Sequence, residues 1–134
     1  GCGLAIVDKR RSAPNQSEVM HLIGNVEGFA AILVDDLVDT AGTLTKAAKA
    51  TKANGATRVL AICTHGVLSG PAHERIEDSV IEKVFVTDTI PIEKNLAGKE
   101  TQHSTKIQVV SVASLFAEAI DAIHSNKSIS RLFE

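Results

Sequence analysis

The stretch FAAILVDDLVDTAGTLT, Phe29 to Thr45, decides the fold. It opens with an apolar run, Ala30 to Val34, continues into the adjacent carboxylates Asp35 and Asp36, and then enters a turn of small residues, Asp39, Thr40, Ala41, Gly42 and Thr43. An apolar run of this length bounded by turn residues predicts a buried strand. Beyond the turn the spacing becomes helical. Strand, tight loop and helix together form an anion-holding geometry, because the N–H groups of the loop and helix start converge on the ligand and the helix dipole favours negative charge. Gly42 allows close approach of the backbone, and Thr40 and Thr43 supply hydroxyl donors. Asp35 and Asp36 are suited to accept hydrogen bonds from hydroxyls. Phosphate donors beside paired carboxylates suggest a sugar phosphate.

A blander reading makes the same residues a helix start, with Thr43 as N-cap and the acids biased toward the helix N-terminus. Two adjacent acids at the end of a buried strand weigh against it. Such carboxylates are costly unless solvated or paired, and ligands of open α/β sheets bind at the carboxyl ends of parallel strands.

Downstream, Thr43 to Asn54 is expected to be helical, with Leu44, Ala47, Ala48 and Thr51 on one face, Lys46, Lys49 and Lys52 largely away from it, and Gly55 just past its end. Arg58 to Cys63 predicts a second buried strand, and THGVLSG, Thr64 to Gly70, the loop at its end. His65 lies at the ligand edge, where a single loop histidine is more often structural. PAHERIEDS, Pro71 to Ser79, predicts a short helix capped by Ser69 or Gly70. Lys83 to Thr87 is a further strand, with Thr87, Asp88 and Thr89 at its carboxyl end. A long polar loop follows, Ile92 to Thr105. Ile107 to Ser111 is another strand, and Ser111 or Ser114 can cap a helix carrying Leu115, Phe116, Ala119, Ile120 and Ile123 on one face. The tail ends in Leu132 and Phe133, an apolar pair expected to dock.

Upstream, Leu4 to Val7 reads as a short strand running into Asp8, Lys9, Arg10 and Arg11, with loop composition from Ser12 to Ser17. Glu18 to Ile23 is a weaker strand candidate. Three adjacent basic residues usually form a solvated charge run. Beside a phosphate loop they suit a mobile segment that closes over polyphosphate and places cations where charge develops.

Strands alternating with helices predict an α/β domain: a parallel sheet with right-handed crossovers and helices on both faces. The 134 residues suffice for a single domain, 1–134. A net charge of −2 and only 3% aromatic residues argue against a nucleic-acid surface. No apolar run approaches the ~20 residues of a membrane span. Cys2 and Cys63 sit in unrelated contexts, and Cys63 reads as a small core residue, so a reducing cytoplasm fits better than a disulfide scaffold. The chain starts abruptly, as though inside a larger protein.

VDDLVDTAGT resembles the phosphoribosyl pyrophosphate loop of phosphoribosyltransferases and of phosphoribosyl pyrophosphate synthetases. With AIVDKRR, N-x-x-E-V-M, THGVLSGPA, VTDTIP, AEAI and SIS-x-LF in order, nearly the whole chain resembles the C-terminal half of the ribose-phosphate pyrophosphokinases. Transferases sharing the loop lack the DKRR and SGPA segments. The resemblance implies a type I phosphoribosyltransferase-like fold. It also implies transfer of diphosphate from ATP to ribose 5-phosphate with Mg²⁺, giving AMP and 5-phosphoribosyl 1-diphosphate for nucleotide biosynthesis.

By matching position, Lys9 and Arg11 would contact the polyphosphate as catalytic residues, Asp35 and Asp36 the ribose, and Asp39, Thr40, Ala41, Gly42 and Thr43 the 5-phosphate. Ser128, Ser130 and Phe133 would serve regulation by ADP and inorganic phosphate at a subunit interface, in a homo-oligomer of dimers building hexamers. No metal ligand is assigned to this chain. The family's N-terminal domain, which supplies much of the adenine pocket, a catalytic histidine and metal-binding residues, has no counterpart here, so this chain alone is expected to be inactive. The stretch from Pro91 to Ile107 is longer than is usual in the family, and Arg131 replaces a common aromatic. Rival readings are a phosphoribosyltransferase, for which no nucleobase hood is visible, and a catalytically silent synthetase-associated subunit. Homologues of that kind tend to lose the D-T-x-G-T loop or the basic loop, and this chain keeps both.

Overall fold

The computed structural model describes residues 2–10, 19–92 and 104–133. Their order is β1 (Ile6–Arg10), β2 (Val19–Ile23), β3 (Ala30–Val38), α1 (Gly42–Ala53), β4 (Arg58–Gly66), α2 (Ala72–Glu77), β5 (Lys83–Thr87), β6 (Ile107–Val110) and α3 (Ala113–His124), closed by a 3-10 turn at Ser130–Leu132. Strands β3, β4, β5 and β6 form a parallel sheet in that order. The α/β class and the parallel sheet expected from the alternating pattern are borne out. β1 and β2 pair antiparallel in a separate two-stranded ribbon, with Lys9 opposite Met20 and Arg10 opposite Val19. The basic cluster therefore begins on paired strand, not in a loop.

One sheet face carries the core. Ala61 pairs with Leu33 on one side and Val84 on the other, and Cys63 with Val86, so these side chains share a face. Leu44, Ala48 and Thr51 of α1 and Ala72 and Ile76 of α2 are buried with the buried residues of that face. The alanine-rich face of α1 lets it lie close to the strands, as its spacing predicts. Its C-terminus is closed by a Schellman motif: the Gly55 N–H donates to the Lys52 carbonyl at 3.1 Å and the Ala56 N–H to that of Thr51 at 3.4 Å, with Gly55 at φ +91°.

The opposite face is open. Ile32 is 55% exposed and Val34 79%, while Leu60 and Phe85 are half-buried. The reading of β3 as a fully buried strand is therefore corrected to a strand covered on one side only. α3 likewise buries only Ala122 and presents Phe116, Ile120 and Ile123 to solvent. Leu132 is half-buried and Phe133 exposed, so only the first of that pair is covered.

The predicted caps also differ. α2 starts after Pro71, not after Ser69 or Gly70, because Ser69 is engaged with β3's loop. α3 starts after Val112, while the Ser111 hydroxyl accepts the Ala113 N–H at 3.3 Å. The first predicted strand begins at Ile6 and not at Leu4, which is 86% exposed.

Candidate functional site

The candidate residues gather where β3, β4 and β5 end. Asp35 lies inside β3, opposite the buried Cys63, with Leu37 opposite His65 and Val38 opposite Gly66 beyond it. Both Asp35 and Asp36 are exposed, and the Asp36 N–H donates to Asp35 Oδ1 at 2.9 Å. The strand thus runs on through the acids to Val38 and does not end before them as expected, and solvation and this local bond relieve the cost of two carboxylates within it. Beneath them the Cys63 thiol is pushed up to about 11, first by burial and then by the charges of Asp35 and Asp36. It is a core thiol, as expected, and no nucleophile at neutral pH. Among the described residues no group of three or more His, Cys, Asp or Glu could hold a metal ion.

The loop after β3 turns sharply at Ala41, a buried alanine in the left-handed region (φ 58°, ψ 8°) that precedes α1. The helix therefore begins at Gly42, Thr43 lies inside its first turn, and no side chain caps it. This excludes the reading with Thr43 as N-cap. The first helical bond runs from the Thr45 N–H to the Ala41 carbonyl at 3.0 Å. The N–H groups of Gly42, Thr43 and Leu44 come before it, with no carbonyl one turn earlier to take them. Thr40 and Thr43 are exposed beside them. This arrangement suits an anion, by orientation of N–H groups and by helix dipole.

The connection from β4 to α2 braces this loop. The N–H groups of Val67 and Leu68 both donate to the Val38 carbonyl, at 3.0 and 3.1 Å. The Ser69 N–H donates to the Asp39 carbonyl at 3.1 Å, and the Ser69 hydroxyl donates to the Asp39 carboxylate. Arg75 Nη1 donates to the Thr40 carbonyl at 3.0 Å. Asp39 thus faces Ser69, where a carboxylate does not oppose an incoming phosphate. Sequence reading assigned no role to Ser69 beyond a cap and none to Arg75, because both act across 30 or more residues. Arg75 also lines an open cleft of about 740 Å³ between α1 and α2, together with Lys46, Lys49, Glu74 and Asp78, a wall of mixed charge.

At the β4 and β5 ends, His65 Nδ1 lies 2.9 Å from Thr89 Oγ1. Thr89 Oγ1 is 2.9 Å from that of Thr87, and the Thr87 hydroxyl donates to the Thr64 carbonyl at 2.7 Å. His65 is tied into a hydroxyl network, as the structural reading of it expects. Asp88 is tied to the segment that follows β6: its Oδ1 accepts the Val112 N–H at 2.9 Å, and hydrogen bonds from Ser111 and then Val112 hold its carboxyl below the usual range.

Lys9 lies on β1, but its side chain and the whole of Arg11 fall outside the described residues. Ser128 and Ser130 form a local turn, in which the Ser128 hydroxyl donates to Ser130 Oγ at 2.9 Å and accepts the Ser130 N–H at 3.1 Å. Phe133 stands 82% exposed beyond it.

Residues 6–134 match the family described as the phosphoribosyl synthetase-associated domain. The chain belongs to that family. It is 53% identical over 131 residues to ribose-phosphate pyrophosphokinase 1 of Listeria innocua, covering 98% of this chain and 39% of the relative. It is 55% identical over 130 residues to a ribose-phosphate pyrophosphokinase of Caldanaerobacter subterraneus, covering 97% and 39%. The crystal structure of phosphoribosylpyrophosphate synthetase from Mycobacterium smegmatis superposes with a TM-score of 0.74 at 35% identity, over 91% of this chain and 37% of that one. This member of the synthetase-associated family thus spans well under half the length of the relatives it matches. The likeness expected from the ordered motifs is borne out, and so is the fold.

Proposed function

We propose that this chain forms the ribose-5-phosphate half of a ribose-phosphate diphosphokinase. The observation that carries the reading is the turn at Ala41, which leaves three first-turn N–H groups of α1 just beyond the strand that carries the exposed carboxylates Asp35 and Asp36. The N–H groups and the hydroxyls of Thr40 and Thr43 would hold the 5-phosphate, and the carboxylates would accept hydrogen bonds from the ribose hydroxyls. The relatives' names and the shared fold support this assignment.

In the proposed reaction the anomeric hydroxyl oxygen bonds to the β-phosphorus of ATP. The bond from that phosphorus to the α-phosphate oxygen breaks, AMP leaves with the electron pair, and the hydroxyl proton passes to water. Lys9 and Arg11 would stabilise charge on the transferring diphosphoryl group. The adjacent, exposed Asp35 and Asp36 suit Mg²⁺, which is commonly held by one or two carboxylates together with substrate phosphates. Bound there, Mg²⁺ would neutralise charge on the polyphosphate. ADP and inorganic phosphate would act through Ser128, Ser130 and Phe133 in a homo-oligomer. A cytoplasmic setting agrees with the two free thiols, Cys2 and Cys63. Among the described residues no helix is long and apolar enough to cross a membrane.

Calorimetric titration with ribose 5-phosphate in Mg²⁺, with ribose as control, tests the site. Binding that requires the phosphate supports it; indifference to the phosphate in a folded chain overturns it. With the rest of a relative's chain restored, Lys9→Ala should lower kcat on the order of 10²-fold, the size of one lost transition-state donor, and leave KM for ribose 5-phosphate little changed. Asp39→Ala should act on ribose 5-phosphate binding, by releasing the bracing from Ser69.

A further inference from the structure

We propose that Arg75 is a positioning residue that sets the direction of the phosphate loop's N–H groups from behind, acting through the Thr40 carbonyl. The inference rests on the phosphate-loop reading above and deepens it. Its basis is the trans peptide, in which C=O and N–H point in opposite directions. Among the described residues there are no cis bonds. Arg75 Nη1 holds the Thr40 carbonyl at 3.0 Å, so the Ala41 N–H is turned away from Arg75. The Ser69 N–H holds the Asp39 carbonyl at 3.1 Å, so the Thr40 N–H is turned away from Ser69. Two successive peptide planes are thereby fixed by one segment, Ser69 to Arg75. Successive N–H groups beside a left-handed residue form an anion-binding concavity, and Ala41 is that residue (φ 58°).

The Thr40 carbonyl is also the group that the Leu44 N–H would take if α1 began one residue earlier. The helix begins at Gly42 instead, and Arg75 holds that carbonyl. The Leu44 N–H is thus kept with those of Gly42 and Thr43. Gly42 fits the same account. A Cβ there would lie 3.4 Å from Arg75 Nη1, within ordinary contact distance, and its φ is not positive, so the guanidinium packs directly against this residue. Being charged, the donor makes a stronger bond than a neutral one, and it adds positive charge behind the concavity. Arg75 is itself exposed along its outer side, where it lines the α1/α2 cleft, so its replacement leaves the core intact.

The test compares the wild-type chain with Arg75→Ala and Arg75→Lys. Backbone amide resonances of Thr40 to Thr43 are recorded without ligand, then during titration with ribose 5-phosphate, with ribose as control. Arg75→Ala should shift the Ala41 and Gly42 amides, leave the core strand resonances in place, and weaken ribose 5-phosphate about ten-fold, as for one lost charge-assisted bond. Arg75→Lys, which can still donate to Thr40, should recover affinity to within about three-fold of wild type, a difference of well under one such bond. Unmoved loop amides in Arg75→Ala overturn the inference. So does a lysine variant no better than alanine, which would reduce Arg75 to packing. If the wild-type chain itself does not distinguish ribose 5-phosphate from ribose, the functional reading falls alone, and the unliganded amides still decide on Arg75.

Discussion

Cys63 and Gly55 show how single positions carry consequences that chemistry can read. The Cys63 thiol is 1% exposed and pushed up to about 11, whereas Cys2 is exposed. Thiolate is the reactive form. At pH 8 a maleimide should therefore label one thiol per native chain, at Cys2, and two in denaturant; rapid labelling of Cys63 in the native chain would contradict its burial. Gly55 holds φ +91°, and a Cβ there would sit 3.0 Å from Glu27 Cγ and 3.2 Å from its Cα. Gly55→Ala should destabilise the fold by about 1–2 kcal/mol, the ordinary cost of an L-residue in that region, read as a lower thermal midpoint. This glycine was legible in sequence, because Asn54-Gly55 follows a helical period. Ala41 was not legible as the pivot of the loop. The residues just before it are braced by Ser69 and Arg75, which lie 28 and 34 positions from Ala41 and show no local pattern.

At the level of elements, the sequence identified strands and helices by period, placed both ends of β5 and misplaced several others. Periodicity reports which residues are buried together, whereas ends depend on particular hydrogen bonds. The long polar stretch after β5 illustrates this. Its residues 93–103 lie outside the described structure, yet its exit is pinned to α2. Glu77 Oε2 accepts the Ser104 hydroxyl at 2.6 Å and the Thr105 N–H at 2.9 Å, and Oε1 accepts the Thr105 hydroxyl at 3.0 Å. The Ser104 bond is the chief reason the Glu77 carboxyl lies below its ordinary value of 4.5; burial opposes the shift, and the Thr105 bonds and the charge of Lys106 add to it. A carboxyl lowered by folding stabilises the native state above its ordinary value and loses that contribution as pH falls through the lowered one. The Thr105 amide shift should therefore titrate with a midpoint below 4.5. Glu77→Gln should lower the thermal midpoint at pH 7, and its difference from wild type should shrink as the pH falls below 4.5 and Glu77 protonates. A difference independent of pH would assign Glu77 to packing.

For the whole molecule, the decisive feature is an apolar sheet face that the sequence pattern expected helices to cover and that the described residues leave open. The run Ala30 to Val34 carries the composition of a strand covered on both sides, and the structure covers one. Ile32, Val34 and Ile62 on the sheet, and Phe116, Ile120 and Ile123 on α3, are each 45% exposed or more. Side chains that bury little within the chain contribute little to its stability, so surface rules govern them, with changes within about 0.5 kcal/mol. The chain should bind an environment-sensitive apolar dye in its native state, since Val34 pairs with Ile62 on the sheet and Phe116, Ile120 and Ile123 share one face of α3, which leaves two exposed apolar patches. Ile120→Lys and Ile123→Lys should reduce that binding and raise the concentration at which the chain aggregates, while leaving the thermal midpoint nearly unchanged. Ala122→Lys, at a position 0% exposed in the same helix, should instead lower the midpoint sharply. The contrast between neighbouring positions makes the test specific. If Ile120→Lys and Ala122→Lys destabilise alike, α3 is covered on both sides in solution, and light scattering would then reveal whether a second copy does the covering.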